Sequence, residues 1–186
     1  MCSDFLLETD RLILRSWKDE DIDAFAGLCA DPVVMRYFPE TLSREKAKRL
    51  ISMGQECFDE YGVFYAPVEL KETGEFIGFV GLDVHSEAAL LPFAPCVDIG
   101  WRLKQSAWGK GYASEAARAW IRFGFETKCF NEIVSFTPLV NVPSQKVMER
   151  IGMRRDPEGD FVHSYFEPDH DLALHCLYRI SRKELS

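Results

Sequence analysis

The sequence has no apolar run approaching the roughly 20 residues needed to cross a bilayer, no closely spaced cysteine pair and no excess of positive charge. Each absence removes a class of function. Without a long apolar stretch there is no candidate membrane span, and Met1-Cys2-Ser3-Asp4 lacks the basic start and apolar core of a secretory leader. A cytoplasmic location is therefore expected. The cysteines (Cys2, Cys29, Cys57, Cys96, Cys129, Cys176) are scattered, with no Cys-x-x-Cys pair and no histidine at ligand spacing. That excludes a disulfide framework and a zinc site, leaving reduced thiols and no metal. Twenty-two basic residues against 30 acidic ones give a net charge of −8. No block of Lys and Arg interleaved with aromatics appears, so nucleic acid is not an expected partner. An acidic surface does suit a cationic substrate such as an amine.

What is present is a globular composition, 47% hydrophobic over 186 residues, enough for one domain spanning residues 1–186 with a self-sufficient core. Residues 11–16 read as a strand, followed by a helix from Asp19 to Cys29 that Asp31-Pro32 ends. Ser43 reads as the N-cap of a second helix, with Ala47, Leu50, Ile51, Gly54, Phe58 and Tyr61 on one face and Gly62 as its stop. A hairpin follows, from Val63 to Leu70 and from Phe76 to Val84. Residues 85–95 read as a loop. In the strand Cys96 to Leu103, Val97, Ile99, Trp101 and Leu103 share one face, and Asp98, Gly100 and Arg102 the other. After a glycine-bearing loop, a helix runs to about Lys128. A strand from Glu132 to Thr137, a short helix capped by Ser144 and ended by Gly152, and a strand from Leu174 to Ile180 complete an α+β pattern, with 156–171 read as a polar segment.

The chemistry concentrates in the loop Trp108-Gly109-Lys110-Gly111-Tyr112-Ala113. Alternate glycines opening into a helix expose several main-chain N–H groups where the helix dipole favours negative charge, which suits phosphate or pyrophosphate. The P-loop pattern is absent. The dinucleotide pattern is half present, with Gly109-x-Gly111 but Ser at 114, and it follows four predicted strands rather than one. Phe130-Asn131-Glu132 offers only a weak ribose-binding acid, so a nicotinamide or flavin ligand is disfavoured.

The loop resembles the Q/R-x-x-G-x-G/A signature of the GNAT superfamily of acetyl-CoA-dependent N-acetyltransferases, with Trp108 in place of the leading Gln or Arg. The continuation Ser114-Glu115-Ala116 resembles the ribosomal-protein N-terminal acetyltransferase branch. So do Leu7-Glu8-Thr9-Asp10-Arg11-Leu12-Ile13-Leu14-Arg15, Asp98-Ile99-Gly100-Trp101-Arg102-Leu103 and Asn141-Val142-Pro143-Ser144-Gln145-Lys146-Val147-Met148. The four segments cover nearly the whole chain in the family's order. The resemblance implies a mixed, mostly antiparallel sheet of about six or seven strands with a splayed central pair, flanked by helices.

It further implies that acetyl-CoA is held by main chain around Trp101, Arg102 and Leu103, by the amides of Trp108, Gly109, Lys110, Gly111, Tyr112, Ala113 and Ser114, and by Asn141 and Ser144. An N–H near Ile99 to Trp101 would face the developing oxyanion. The acceptor is an amine, either a protein N-terminus or a small molecule, and a homodimer is compatible with the family. Where many members carry a Tyr acid this chain has Met148, and Ser144 matches the serine that serves the departing thiolate in the ribosomal-protein branch. Asp98, His163, Glu167 and water are the candidate bases, and Cys96 reads as a small buried residue rather than a nucleophile. The resemblance places acceptor selection around residues 30–62, 85–95 and 156–171. A different acyl-CoA, or a CoA-binding sensor without catalysis, are the alternatives.

Overall fold

A computed structural model describes residues 6–184; the leader reading at Met1–Asp4, with Cys2, falls outside them. The strands are β1 (Leu6–Glu8), β2 (Leu12–Arg15), β3 (Tyr65–Leu70), β4 (Phe76–His85), β5 (Cys96–Leu103), β6 (Glu132–Pro138), β7 (Arg154–Val162) and β8 (Leu174–Ser181). The helices are α1 (Asp21–Ala30), α2 (Arg44–Tyr61), α3 (Tyr112–Glu126) and α4 (Val142–Arg150). All strands join one eight-stranded sheet in the order β1-β2-β3-β4-β5-β6-β8-β7. Every pairing is antiparallel except β5 with β6.

The sheet has two strands more than its apolar alternation reveals. β1 is only three residues long, and β7 carries Pro157, Gly159 and a register shift between Asp156 and Phe161, so it lacks a clean period of two. β7 lies at the sheet edge and takes in residues 156–162 of the segment read only as polar.

The two sides of the sheet carry different helices. On one, α3 lays Ala116, Ala117, Trp120, Ile121 and Phe125 against Val80, Leu82, Ile99 and Leu103, all nearly or fully inaccessible. On the other, α1 and α2 bury Phe25, Cys29, Ala47 and Ile51 against Phe76 and Phe79. α2 begins as its sequence dictates, with Ser43 Oγ accepting the Lys46 N–H at 3.3 Å, and ends where the Gly62 N–H donates to Phe58 O. Asp21, buried at the start of α1, is paired with Arg15 at 2.7 Å, which also holds Glu69. No helix among the described residues is long and apolar enough to cross a membrane.

Candidate active site

The parallel pair β5–β6 bridges only at Asp98/Val134, and beyond it the strands diverge. Which main-chain groups this leaves open follows from the antiparallel register with β4. Lys104 N–H donates to Ile77 O at 2.8 Å, so even-numbered residues of β5 turn their polar groups toward β4. Odd-numbered residues turn theirs toward β6, and Ser135 Oγ donates to Ile99 O at 2.8 Å at the apex of the split. Past that apex Leu103 O accepts Trp108 Nε1–H at 2.8 Å. The N–H and C=O of Trp101 and the N–H of Leu103 face the gap, an exposed strand edge that an amide-bearing chain can pair with. Arg102 differs from this expectation: its main chain faces β4 opposite Phe79, and its side chain lies on the α1–α2 side. It is not among the groups on that edge.

The gap leads to the glycine loop. A short turn (Gln105–Ala107) precedes Gly109 and Gly111, at φ 72° and 83°, both in the left-handed region that a side chain disfavours. Gly111 is the N-cap of α3 and supplies no side-chain cap, so the first-turn amides stay available. A Cβ at Gly109 would meet nothing within 4 Å, so the loop is open on that side. Ser114 Oγ is buried there with no hydrogen-bond partner among the described residues. Arg11 joins the loop from the β1–β2 turn. Its Nη1 donates to Lys110 O at 3.0 Å, its guanidinium lies 4.6 Å from the centre of the Tyr112 ring, and its Nε and main-chain N–H hold Glu115. Glu115 is thereby drawn from the helix N-terminus, and cations collect around the loop of an acidic protein: Arg11, Lys110 and Arg36, whose guanidinium lies 4.9 Å from the Trp108 ring. Open amides, an unpartnered hydroxyl and three cations fit a phosphate-bearing ligand whose amide-rich arm runs along β5.

Ser144 and Asn141 exchange the roles expected of them as caps. Asn141 is the N-cap of α4, its Oδ1 accepting the Ser144 N–H at 3.3 Å and its Nδ2 donating to Thr137 Oγ1 at 2.8 Å. An Asn-x-x-Ser sequence can be capped by either residue, and the peptide after Asn141 takes the helical turn first. Ser144 sits in the first turn, half-buried, and its hydroxyl makes no hydrogen bond to the described residues. Met148 is buried in the core beneath it.

On the α1–α2 side of the sheet Asp98, almost wholly buried, accepts from Tyr65 OH at 3.2 Å and bonds His85 Nε2 at 2.6 Å. Asp83, across the ladder from Asp98, lies 3.9 Å from the same nitrogen. Burial, then the Asp98 charge, pushes the Asp83 carboxyl up to about 6. Burial alone would lower His85, but its bond to Asp98 and the two carboxylate charges outweigh that and raise it. Their donor atoms lie within 4.8 Å of one another, near enough for one cation, although the His85–Asp98 pairing already accounts for them. His85 and Asp83 were not singled out from the sequence. Two ionisable residues at i and i+2 in an otherwise apolar strand were the available signal.

The other candidates part from this group. His163 is buried among Phe136, Phe161 and His175. Burial, reinforced by His175 and His85, lowers it to about 4. Its Nδ1 accepts the Tyr165 N–H at 3.2 Å, which places the proton of the neutral ring on Nε2 and leaves no free lone pair for a base. Glu167 is exposed on the loop after β7. Cys96 is held protonated, pushed up to about 12 by burial and then by Asp98.

The model of the Acetyltransferase (GNAT) domain family matches residues 11–154. The chain is 31% identical over 151 residues to an uncharacterized N-acetyltransferase, YnaD, of Bacillus subtilis, covering 81% of this chain and 83% of that protein. Its fold superposes on the acetyltransferase (GNAT family) of Bacillus anthracis with a TM-score of 0.79 at 26% identity, over 97% of this chain and 100% of that one. It also superposes on the ribosomal-protein-S5-alanine acetyltransferase of Vibrio fischeri with a TM-score of 0.75, over 98% and 100% of the two chains, where 20% identity supports likeness of fold alone. With a splayed parallel pair, a glycine loop at the start of α3 and this kinship over most of its length, the chain belongs to the GNAT family and is an N-acetyltransferase.

Proposed function

We propose that this enzyme moves the acetyl group of acetyl-CoA to a primary amine by direct attack with both substrates bound. The observation that carries the reading is the open edge of β5 running into the uncapped amides of Gly111 to Ser114. In the proposed complex Trp101 and Leu103 pair with the pantetheine amides, and the loop amides, Ser114 Oγ and Arg11 hold phosphate. When bound, acetyl-CoA supplies a thioester carbonyl that an amine can attack. Trp101 N–H, the first open donor past the apex, is aimed where negative charge grows on the carbonyl oxygen.

The amine must lose a proton. With Nε2–H donated to Asp98, His85 keeps a lone pair on Nδ1 to receive it, and Asp98 steadies the charged ring that results. Across the split, the free Ser144 hydroxyl donates to the departing sulfur. A Cys96 thiol that stays protonated fits transfer without an acyl-enzyme.

Release of free thiol from acetyl-CoA in the presence of a panel of primary amines tests the reading. Intersecting initial-velocity lines are expected; parallel lines, or no release with any amine, would overturn it. Ser144→Ala is expected to lower kcat about 10- to 100-fold with the acetyl-CoA KM within about twofold of wild type; an unchanged kcat removes Ser144 from the chemistry. Gly111→Ala puts a Cβ at φ 83°, a strain of about 1–2 kcal/mol. Because that strain distorts the amide cradle, the acetyl-CoA KM should rise about tenfold in steady-state kinetics, with the amine KM little altered.

A further inference from the structure

Among the described residues, Arg102 is a cation with no carboxylate paired to it. By contrast Arg15 holds Asp21 and Glu69, Arg155 holds Asp160, and Arg179 holds Asp156 and Glu132. The Arg102 guanidinium donates instead to Cys29 Sγ at 3.1 Å and lies 3.9 Å and 5.3 Å from the centres of the Phe38 and Phe79 rings. Its buried Nε has no partner among the described residues. Neither polar neighbour compensates the charge: burial pushes the Cys29 thiol up, and burial and Asp98 hold the Tyr65 phenol well above its ordinary range. Glu40, on the rim, is engaged by Lys46. A half-buried cation with no charge partner is costly, and an arriving anion relieves that cost.

The cation lines an open cleft of about 350 Å³ bounded by Met35, Phe38, Pro39 and Leu42 on one side and Tyr165 on the other. These walls belong to the segments 30–62 and 156–171. From the cleft, the same side of β5 leads back to the Asp98–His85 pair. Asp98, Gly100 and Arg102 alternate along one side of β5, about 13 Å apart from first to last at the rise of a strand. Between them the Tyr65 ring covers Gly100, where a Cβ would come within 3.1 Å of the ring, and its hydroxyl reaches Asp98. An anionic end, an aromatic surface and a cationic end follow one another on one face.

We infer that Arg102 receives a carboxylate of the acceptor, so that the substrate is a primary amine carrying a carboxylate beyond an apolar stretch, as in an ω-amino acid. The amine lies at Asp98 and His85, the methylenes lie on Tyr65, and the carboxylate reaches the guanidinium. An α-amino acid, whose charges are adjacent, spans too little of this track. The inference rests on the acetyltransferase reading for its amine end, but the anion pocket can be measured without turnover.

The binding arm uses the CoA-loaded enzyme titrated calorimetrically with N-acetyl-ε-aminocaproate and with its carboxamide. The acid should bind about 10- to 100-fold more tightly, the worth of hydrogen bonds to a charged group. Arg102→Met should bring the two affinities together. Arg102→Lys, which keeps the charge but not the fork of donors, should keep part of the preference. Equal affinities in wild type overturn the inference whether or not the variants fold; a preference that survives in Arg102→Met overturns the assignment to this residue. The turnover arm compares ε-aminocaproate with ε-aminocaproamide by thiol release. A binding preference with no thiol released from any amine would sink the acetyltransferase reading while the anion pocket stands. Release from both amines with no preference in either arm would do the reverse.

Discussion

Asp98→Asn is expected to lower kcat/KM for the amine by about 10² to 10⁴-fold, the range of a positioned acid–base partner. Asparagine has nearly the shape of aspartate, and the Tyr65 hydroxyl can still donate to its carbonyl oxygen, so the site keeps its form. What is lost is the negative charge that holds the His85 proton on Nε2 and stabilises the ring once it is charged. The pH profile separates this from a packing defect. In the wild type His85 is raised by Asp98, so the rate climbs only as pH passes above that raised value and frees the ring. Without Asp98 that value falls, and the ascending limb of kcat/KM moves to lower pH as its height drops. Acetyl-CoA affinity, which the proposed complex assigns to the main-chain edge of β5 and to the glycine loop, should not move. A loss below about tenfold with an unshifted limb would hand the proton to water instead.

Trp120→Ala is the substitution with the largest expected effect on stability. Trp120 is fully buried in α3 and meets Phe123 edge-to-face at 5.7 Å. Removing so large a side chain leaves a cavity that β4, β5 and α3 cannot all close, at about 3–5 kcal/mol. For a chain of this size that corresponds to a melting temperature lower by roughly 6–20 °C in a thermal scan. Trp120→Phe, which refills much of the volume, should lose less than half as much. Because α3 carries at its N-terminus the amides proposed to hold phosphate, Trp120→Ala should also weaken acetyl-CoA binding at temperatures where it remains folded. A melting point within about 2 °C of wild type would mean that the site collapses without a cavity.

The parts of the molecule legible in the sequence are those whose signals are local. The faces of β5 separate as its alternation predicts, with Ile99 and Leu103 in the core and Asp98 and Arg102 opposite. The caps Ser43 and Gly62 bound α2 within a residue, and Gly109 and Gly111 take the left-handed geometry that a tight cradle before a helix needs. β7 was not legible because an edge strand buries few side chains, and its Pro157, Gly159 and bulge erase the period on which strand reading depends. Ser144 as a cap failed for a smaller reason: two residues with capping side chains stand three apart, and only the path of the chain out of β6 chooses between them.

The loop and its flanking segments thus determined the family and, through it, the cofactor class, and they contain the strand edge proposed to bind it, since glycine geometry and amide exposure are properties of a few consecutive residues. Tertiary structure alone decided the partners. Register across β4 and β5 brings His85 and Asp83 to Asp98, the β1–β2 turn brings Arg11 to Lys110 and Glu115, and α1 leaves Arg102 facing a thiol rather than a carboxylate. Charge and proton chemistry depend on what lies within about 4 Å in space. Those distances are set by strands and helices that are remote from one another along the chain.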